Sequence, residues 1–549
     1  MYRALRAAAV AVAMVTVIAT AGSAGAQTNA KLEPYLEIEL QRLDETYAVL
    51  ERFAQDVWPG WTNYLEPEFR VQFPNLVFLI VGPRTTVPDG YQLVEGRTVR
   101  GKPVYINRKE QLPMKLEPPL GGGGGGGLTI RIRLQQFSMR PGVKPPEKGS
   151  AQAGKPTEPY YDVSEGQILL YVHEFFHGFQ TLAIPGRAPK PKPAVTQTAE
   201  KPPAPSPAPQ RSGPREPDVV VTLGYSTYSN VEALALGAAY AAADVKEARE
   251  RLSDYLVARH LKQRAMAPRE IAFENETQLS EGTALYSDTR MASLILAAGY
   301  GGNGRHEGDP TFSSWRGMRS YLDQKLTAQI RMVGSMTLDT LSKYYVFGAH
   351  LCFVLDRISP EWKTGFFLSQ KSLDRVVEET LKLTEADERR IAAGLEARYK
   401  VSDLQAKHKT VLDERDSAIA LVKSRQGTRY IVDFERTKEF FDALPRGKAV
   451  RLGVEQIFVN GIERLTLGEV VLTSIDTPMH KPWVWTVEWV DTNAAGGVKG
   501  YELTCRERAG TVCKGAEFTS AGFTLKAPEV DVADTGSEVR ITILSKVAR

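Results

Sequence analysis

The sequence predicts an α+β protein. A small N-terminal sheet precedes a mainly helical central region, and a β-rich, sandwich-like C-terminal domain follows. Three observations carry this prediction. Apolar residues recur at helical spacing in several runs between residues 34 and 358. Leu128–Phe137 instead alternates, with Ile130, Ile132 and Leu134 on one face and Arg131, Arg133 and Gln135 on the other, as a half-buried strand does. From about residue 428 short alternating runs and turn signals replace the helical period.

The elements follow in order. Arg3 and Arg6, the apolar run Ala7–Ala21 and the site Ala24-Gly25-Ala26 read as a secretory signal (1–26) cleaved near Ala26. The mature protein is therefore expected to be extracytoplasmic, periplasmic or secreted. No later segment is long and apolar enough to serve as a transmembrane anchor. Residues 27–160 read as an α+β region with Gly- and Pro-rich loops. Within it, 34–55 predicts an amphipathic helix, with Pro34 in its first turn and Leu36, Leu40, Leu43, Tyr47 and Leu50 on one stripe. Trp58-Pro59-Gly60-Trp61 ends that helix, and Leu76–Val81 and Pro103–Asn107 read as strands. The glycine run Gly121–Gly127 predicts a flexible loop.

Residues 161–427 read as helical, interrupted at 185–217, which holds 11 of the chain's 33 Pro and predicts a disordered insertion. Val231–Ala243, Val245–Met266, Glu270–Tyr300 and Leu338–Ile358 are the helical runs, with Asp244 and Glu247 as a capping pair. Residues 428–549 form the β-rich domain. Asn460-Gly461 between Gln456–Val459 and Ile462–Leu467 predicts a hairpin, and Trp483, Trp485, Val487 and Trp489 alternate on one strand face.

Chemistry concentrates at His173-Glu174-Phe175-Phe176-His177, an H-E-x-x-H pattern. Residues four apart lie one turn above each other on a helix, so both imidazoles can reach one metal ion. Glu174 sits about 100° around the helix, beside the ion, where it can take a proton from a metal-activated water. Gln167–Gln180 around it is apolar nearly all round and should be buried, where unpaired polar groups cost roughly 2–7 kcal/mol each. A bound cation satisfies all three; the competing reading is a pair of core histidines bonded to carbonyls. A catalytic zinc site needs a third protein ligand. Position 183 is Ala, which excludes the pattern with a third His there.

The motif, together with Glu281-Gly282-Thr283-Ala284-Leu285-Tyr286, resembles the gluzincins, the thermolysin-like class of zinc peptidases, in which a later helix donates a Glu, in many bacterial gluzincin-like families within an E-G-x-A-x-Y context. The resemblance has motif support over 165–290. It implies Zn2+ held by His173, His177 and Glu281, with Glu174 as general base in the hydrolysis of a peptide or protein substrate. Glu232, Glu274 and Glu276 compete with Glu281 as ligand. Small Gly282 and Ala284 suit close helix approach. Leu285 stands where thermolysin-like chains carry Asp, and Asp288 could take its place beside a His. Tyr344, Tyr345 and His350 are the residues from which this class would draw its oxyanion-stabilising group. The strand 128–137 would be the edge that pairs with an extended peptide.

The remaining composition excludes more than it adds. Loss of Arg3 and Arg6 with the signal takes the net charge from +4 to +2, too balanced to imply nucleic acid binding. Of the three Cys, Cys505 and Cys513 can close a disulfide and Cys352 reads as a buried thiol. Two rival functions stand beside the peptidase: a non-catalytic, metal-stabilised scaffold or binding protein, and a zinc hydrolase of a non-peptide amide or ester.

Overall fold

Leu36, Leu40, Leu43, Tyr47 and Leu50 are all buried in the computed structural model, on a helix α1 that runs Pro34–Val57. The described residues are 34–72, 77–83, 87, 90–108, 129–133, 164–185, 221–306, 309, 311–337, 341–424, 428–433, 449–452, 455–458, 464–467, 469–474, 479–481, 486–491, 501–520, 523–535 and 538–544. The signal segment 1–26, the glycine run, nearly all of 185–217, Asn460-Gly461, Trp483 and Trp485 lie outside them. Among the described residues no helix is long and apolar enough to cross a membrane. The architecture is α+β.

The chain divides into two compact units. The first comprises Met1–Val219, Val231–Gly334 and Leu341–Gly394, the second Val220–Asn230, Ser335–Thr340 and Leu395–Arg549. In the first unit five strands form a sheet: β1 (Glu68–Gln72), β2 (Val77–Val81), β3 (Gln92–Val99), β4 (Lys102–Arg108) and β5 (Thr129–Arg133). Their order is β3-β4-β2-β1-β5, antiparallel except for the parallel β1–β5 pair. Two of these strands, β1 and β3, escape the sequence reading; β3 carries Gly96 in its interior.

Helix α2 (Ser164–Ala183) packs on the sheet through aromatic rings. Phe69 of β1 stacks on Phe175 at 5.6 Å and meets Tyr171 edge-on at 5.1 Å. Tyr47 of α1 closes on Phe175 from the other helix at 5.1 Å. The start of α2 is fixed by charge. Arg42 donates to Ser164 Oγ at 3.0 Å, and Glu165 accepts from the backbone N–H and the hydroxyl of Ser313 at 2.6 and 2.7 Å. Helix break and core coincide at Trp58-Pro59-Gly60-Trp61. Both Trp are buried, and the Trp58 ring lies within 4.8–6.2 Å of Phe176, Tyr286, Trp362, Phe366 and Phe367.

The later helices are α3 (Leu223–Ala241), α4 (Val245–Gln263), α5 (Pro268–Thr277), α6 (Thr283–Ala297), α7 (Met318–Ser335), α8 (Leu341–Ile358), α9 (Phe366–Ser369), α10 (Leu373–Leu381), α11 (Glu385–Tyr399) and α12 (Val401–Lys423). The expected capping pair opens α4: Glu247 N–H donates to Asp244 Oδ1 at 2.8 Å and Ala243 N–H to Glu247 Oε2 at 3.0 Å. The predicted run Glu270–Tyr300 is α5 and α6 joined by a π-helical turn, Gln278–Gly282.

In the second unit α12 meets the strand Ala449–Leu452, and its buried His408 meets Thr337 Oγ1 at 2.8 Å. The strands are β6 (Thr428–Asp433), β7 (Ala449–Leu452), β8 (Glu455–Phe458), β9 (Arg464–Leu467), β10 (Val470–Ser474), β11 (Met479–Lys481), β12 (Thr486–Asp491), β13 (Tyr501–Thr504), β14 (Glu507–Ala509), β15 (Val512–Ser520), β16 (Phe523–Asp534) and β17 (Glu538–Ile543). All belong to one hydrogen-bonded network. Strand β16 changes partner midway, pairing β10 through Phe523–Lys526 and β17 through Val530–Asp534. Its buried residues change phase at the same place, from Phe523, Leu525 and Ala527 to Val530 and Val532. A strand that rotates its buried face and swaps neighbours turns the corner between two layers. Gly515, with φ +58°, lies opposite Pro528 at that corner. Cys505 and Cys513 form the expected disulfide, and Cys352 is a buried free thiol.

Among the described residues β8 and β9 do not pair as the hairpin expected around Asn460-Gly461 would have them. Strand β8 pairs β7 and β11, which occupy both its edges, and β9 pairs β10.

Candidate metal centre

His173 and His177 stand one turn apart on α2, and their rings meet edge to face at 4.9 Å. Both Nε2 atoms aim at one oxygen, Oε2 of Glu281, at 3.5 Å from His173 and 3.4 Å from His177. The three residues form a possible metal-binding cluster, their ligand atoms all within 4.8 Å of one another. The histidine side chains are about nine-tenths buried, while Glu281 is 29% exposed, so the cluster opens to solvent on the Glu281 side.

The far nitrogens of both rings are held. Asp288 Oδ2 lies 3.3 Å from His173 Nδ1, the position the sequence assigned to it, and its other oxygen accepts from the Thr289 hydroxyl at 2.8 Å. Gln180 Oε1 lies 2.7 Å from His177 Nδ1. An acceptor at Nδ1 keeps a ring proton there and leaves Nε2 facing Glu281, where it carries a second proton or gives its lone pair to a metal ion. Two imidazole nitrogens and a carboxylate oxygen converging on one point need positive charge between them, supplied either by ring protons or by a metal ion. The residues thus fit a metal ion on the chemistry of their donor atoms.

Glu174 is buried beside the cluster, and its Oε2 has no hydrogen-bond partner among the described residues. Burial pushes its carboxyl up to about 7 against the pull of His177 and His173. Burial opposes charge on His173, yet hydrogen bonds to Asp288 and Glu281 outweigh it and push the imidazole up to about 10. His177 is raised in the same way, against burial, chiefly by Glu281. Burial works against the Glu281 carboxylate, but the two histidines hold it well below the usual range. The field at this point favours positive charge.

Glu281 reaches the cluster because the chain between α5 and α6 widens into the π-helical turn, a local irregularity common at functional sites. Helix α8 lies backbone to backbone on that turn. A Cβ on Gly282 would stand 2.6 Å from Gly348 Cα, and one on Gly348 would stand 2.6 Å from the Gln278 carbonyl oxygen. Only glycine at both positions permits this approach. Tyr286 turns to the other side, where its hydroxyl meets Asp356 and Lys363 under Trp58.

The competing acids have other partners. Glu232 and Glu274 share buried Lys262 at 2.6 and 2.7 Å. Arg259 adds Glu274 and, at 2.8 Å, Asp374, so α3, α4, α5 and α10 are tied by one buried charge cluster. Glu276 is exposed on α5. Of the three candidate oxyanion residues on α8, Tyr344 is buried with its ring 6.2 Å from Phe273, and Tyr345 is half-buried. His350 is buried against Tyr240 at 5.3 Å, with Nδ1 donating to its own helix at Val346. Burial pushes His350 down to about 4, so it is neutral at physiological pH.

Sequence reasoning passed over Gln180 and Gly348. Gln180 follows His177 by three positions, a spacing that puts the two side chains on one helix face, and this was the signal available. Gly348 acts only through its tertiary neighbour and leaves no local pattern. No family model matches the chain, and neither the curated proteins nor the solved structures contain a significant match to it.

Proposed function

We propose that this chain is an exported zinc-dependent metallopeptidase of gluzincin-like type, with His173, His177 and Glu281 as ligands and Glu174 as general base. The convergence of both Nε2 atoms on one Glu281 oxygen carries this reading. Ligands about 2.1 Å from a tetrahedral zinc stand about 3.4 Å apart, close to the spacing of these atoms. The Asp288 and Gln180 bonds behind them are the outer contacts that orient metal-ligating histidines. Zinc held there supplies Lewis acidity that polarises a carbonyl and lowers the pKa of water.

The chain's own residues do the rest. The unpartnered Oε2 of Glu174 can take a proton from the attacking water and return it to the leaving amine. A dication beside it favours the ionised carboxylate, offsetting the upward push of burial, so the base is ready at neutral pH. A purely structural metal site has no use for a buried carboxyl with one oxygen left without a partner among the described residues, which costs free energy to keep there. Among the described residues β5 ends the sheet order next to β1, and an extended peptide can add to its other edge. Export accords with the Cys505–Cys513 disulfide, a bond that persists in oxidising compartments.

Incubation with an unbiased peptide library tests the reading. The zinc-loaded protein is expected to cleave peptide bonds, and Glu174→Gln to lower the rate by about 10²–10⁴-fold with zinc retained. Cleavage unaffected by Glu174→Gln would contradict the assignment. Activity confined to non-peptide amides or esters would favour that class of hydrolase, and none at all would favour the scaffold.

A further inference from the structure

We propose that Gln180 is a positioning residue that joins His177 and the Glu281 turn into one preformed unit; this rests on the metal-site reading above. Its amide cannot be turned round. The Nε2 end faces the Ser280 carbonyl at 2.8 Å, the Leu279 carbonyl at 3.3 Å and Thr283 Oγ1 at 2.7 Å. Carbonyls only accept, and the Thr283 hydroxyl donates to the Leu279 carbonyl at 2.6 Å. Flipping the amide would set its oxygen against two carbonyl oxygens. Oε1 must therefore face His177 Nδ1, 2.7 Å away. Because Oε1 only accepts, Nδ1 carries the proton and Nε2 is left as the ligand atom.

The same amide fixes the backbone that delivers the third ligand. Leu279 and Ser280 immediately precede Glu281 in the π-helical turn, and their carbonyls are held by Nε2. Gln180 itself is 2% exposed, so water does not compete for these bonds. His173 has a carboxylate behind it and His177 a neutral amide, and the two are not interchangeable. A carboxylate at position 180 would bring an acceptor against the Leu279 and Ser280 carbonyl oxygens. Although a carboxylate behind a metal-bound histidine ordinarily strengthens the ligand, at this position it would weaken the site.

The test measures zinc affinity of the full chain by competition with a chelator. It also reads ¹⁵N shifts of the His177 ring in the zinc-loaded protein, with thermal unfolding as a check on folding. Gln180→Leu is expected to weaken zinc binding about 10–100-fold, and Gln180→Glu to weaken it as well. Wild-type His177 is expected to bind zinc through Nε2 with its proton on Nδ1. Should Gln180→Leu fail to fold, Thr283→Val removes one acceptor of the amide and is expected to give a smaller loss of affinity. Gln180→Glu binding zinc as tightly as wild type, or tighter, would overturn the inference, as would coordination through Nδ1. Wild-type chain that binds no zinc would overturn the proposed function and this inference together. Tight wild-type binding with unaffected Gln180 variants would overturn this inference alone.

Discussion

At the scale of single residues, the site is defined by protons that a metal must displace. With no metal bound, Asp288 and Glu281 outweigh burial and hold His173 protonated up to about 10. His177 is also raised, and Glu281 stays ionised far into acid. A raised histidine pKa stabilises the metal-free fold at neutral pH, and that contribution is lost as pH climbs through the folded value of about 10. The same proton competes with zinc. Affinity should therefore fall as pH drops, about tenfold per pH unit for each proton displaced. Calorimetric titration at pH 7 in buffers of different ionisation heat should show at least about one proton released per zinc. Binding with no proton release would contradict the assigned charge state. The histidines and Glu174 were legible in the sequence because a four-residue spacing encodes a helix face. Asp288 was legible at one remove, by its two-turn spacing from Glu281. Gln180 was not read, although its i,i+3 relation to His177 lay open.

At the scale of elements, the π-helical turn decides where Glu281 points, and α8 decides where the turn lies. The Gly282–Gly348 contact is the joint between them. Gly348→Ala places a Cβ 2.6 Å from the Gln278 carbonyl and 2.7 Å from Gly282 Cα, with backbone on both sides and no side chain to give way. Overpacking of this kind costs about 1–3 kcal/mol, read as a lower denaturant midpoint, and should weaken zinc binding by moving Glu281. Unchanged stability and zinc affinity would show that the close approach does not position the ligand. Amphipathic helices such as α1 were legible because period and burial agree. Strand β8 takes one neighbour, β7, from just before it in the chain and the other, β11, from beyond β10, so among the described residues neither of its edges is left for β9 and the Asn460-Gly461 signal does not make the expected hairpin.

At the scale of the whole molecule, the α+β composition follows from the switch between helical and alternating periods near residue 428. Beyond that switch, the order of the strands was not legible. Parallel pairing of β6 with β17 joins residues more than 100 positions apart, and no local pattern encodes it. In the first unit the buried charges show the same limit. Glu232 and Glu274 read only as rival ligands to Glu281, and Lys262, Arg259 and Asp374 carry no local signal, until the fold brings the five together with no access to solvent for most of them. The metal centre is one point in that unit, and elemental analysis of the purified protein tests it most directly. About one zinc per chain is expected, reduced to near none by Glu281→Ala with the fold retained. A chain that holds no zinc even after reconstitution, or holds it undiminished without Glu281, would contradict the account.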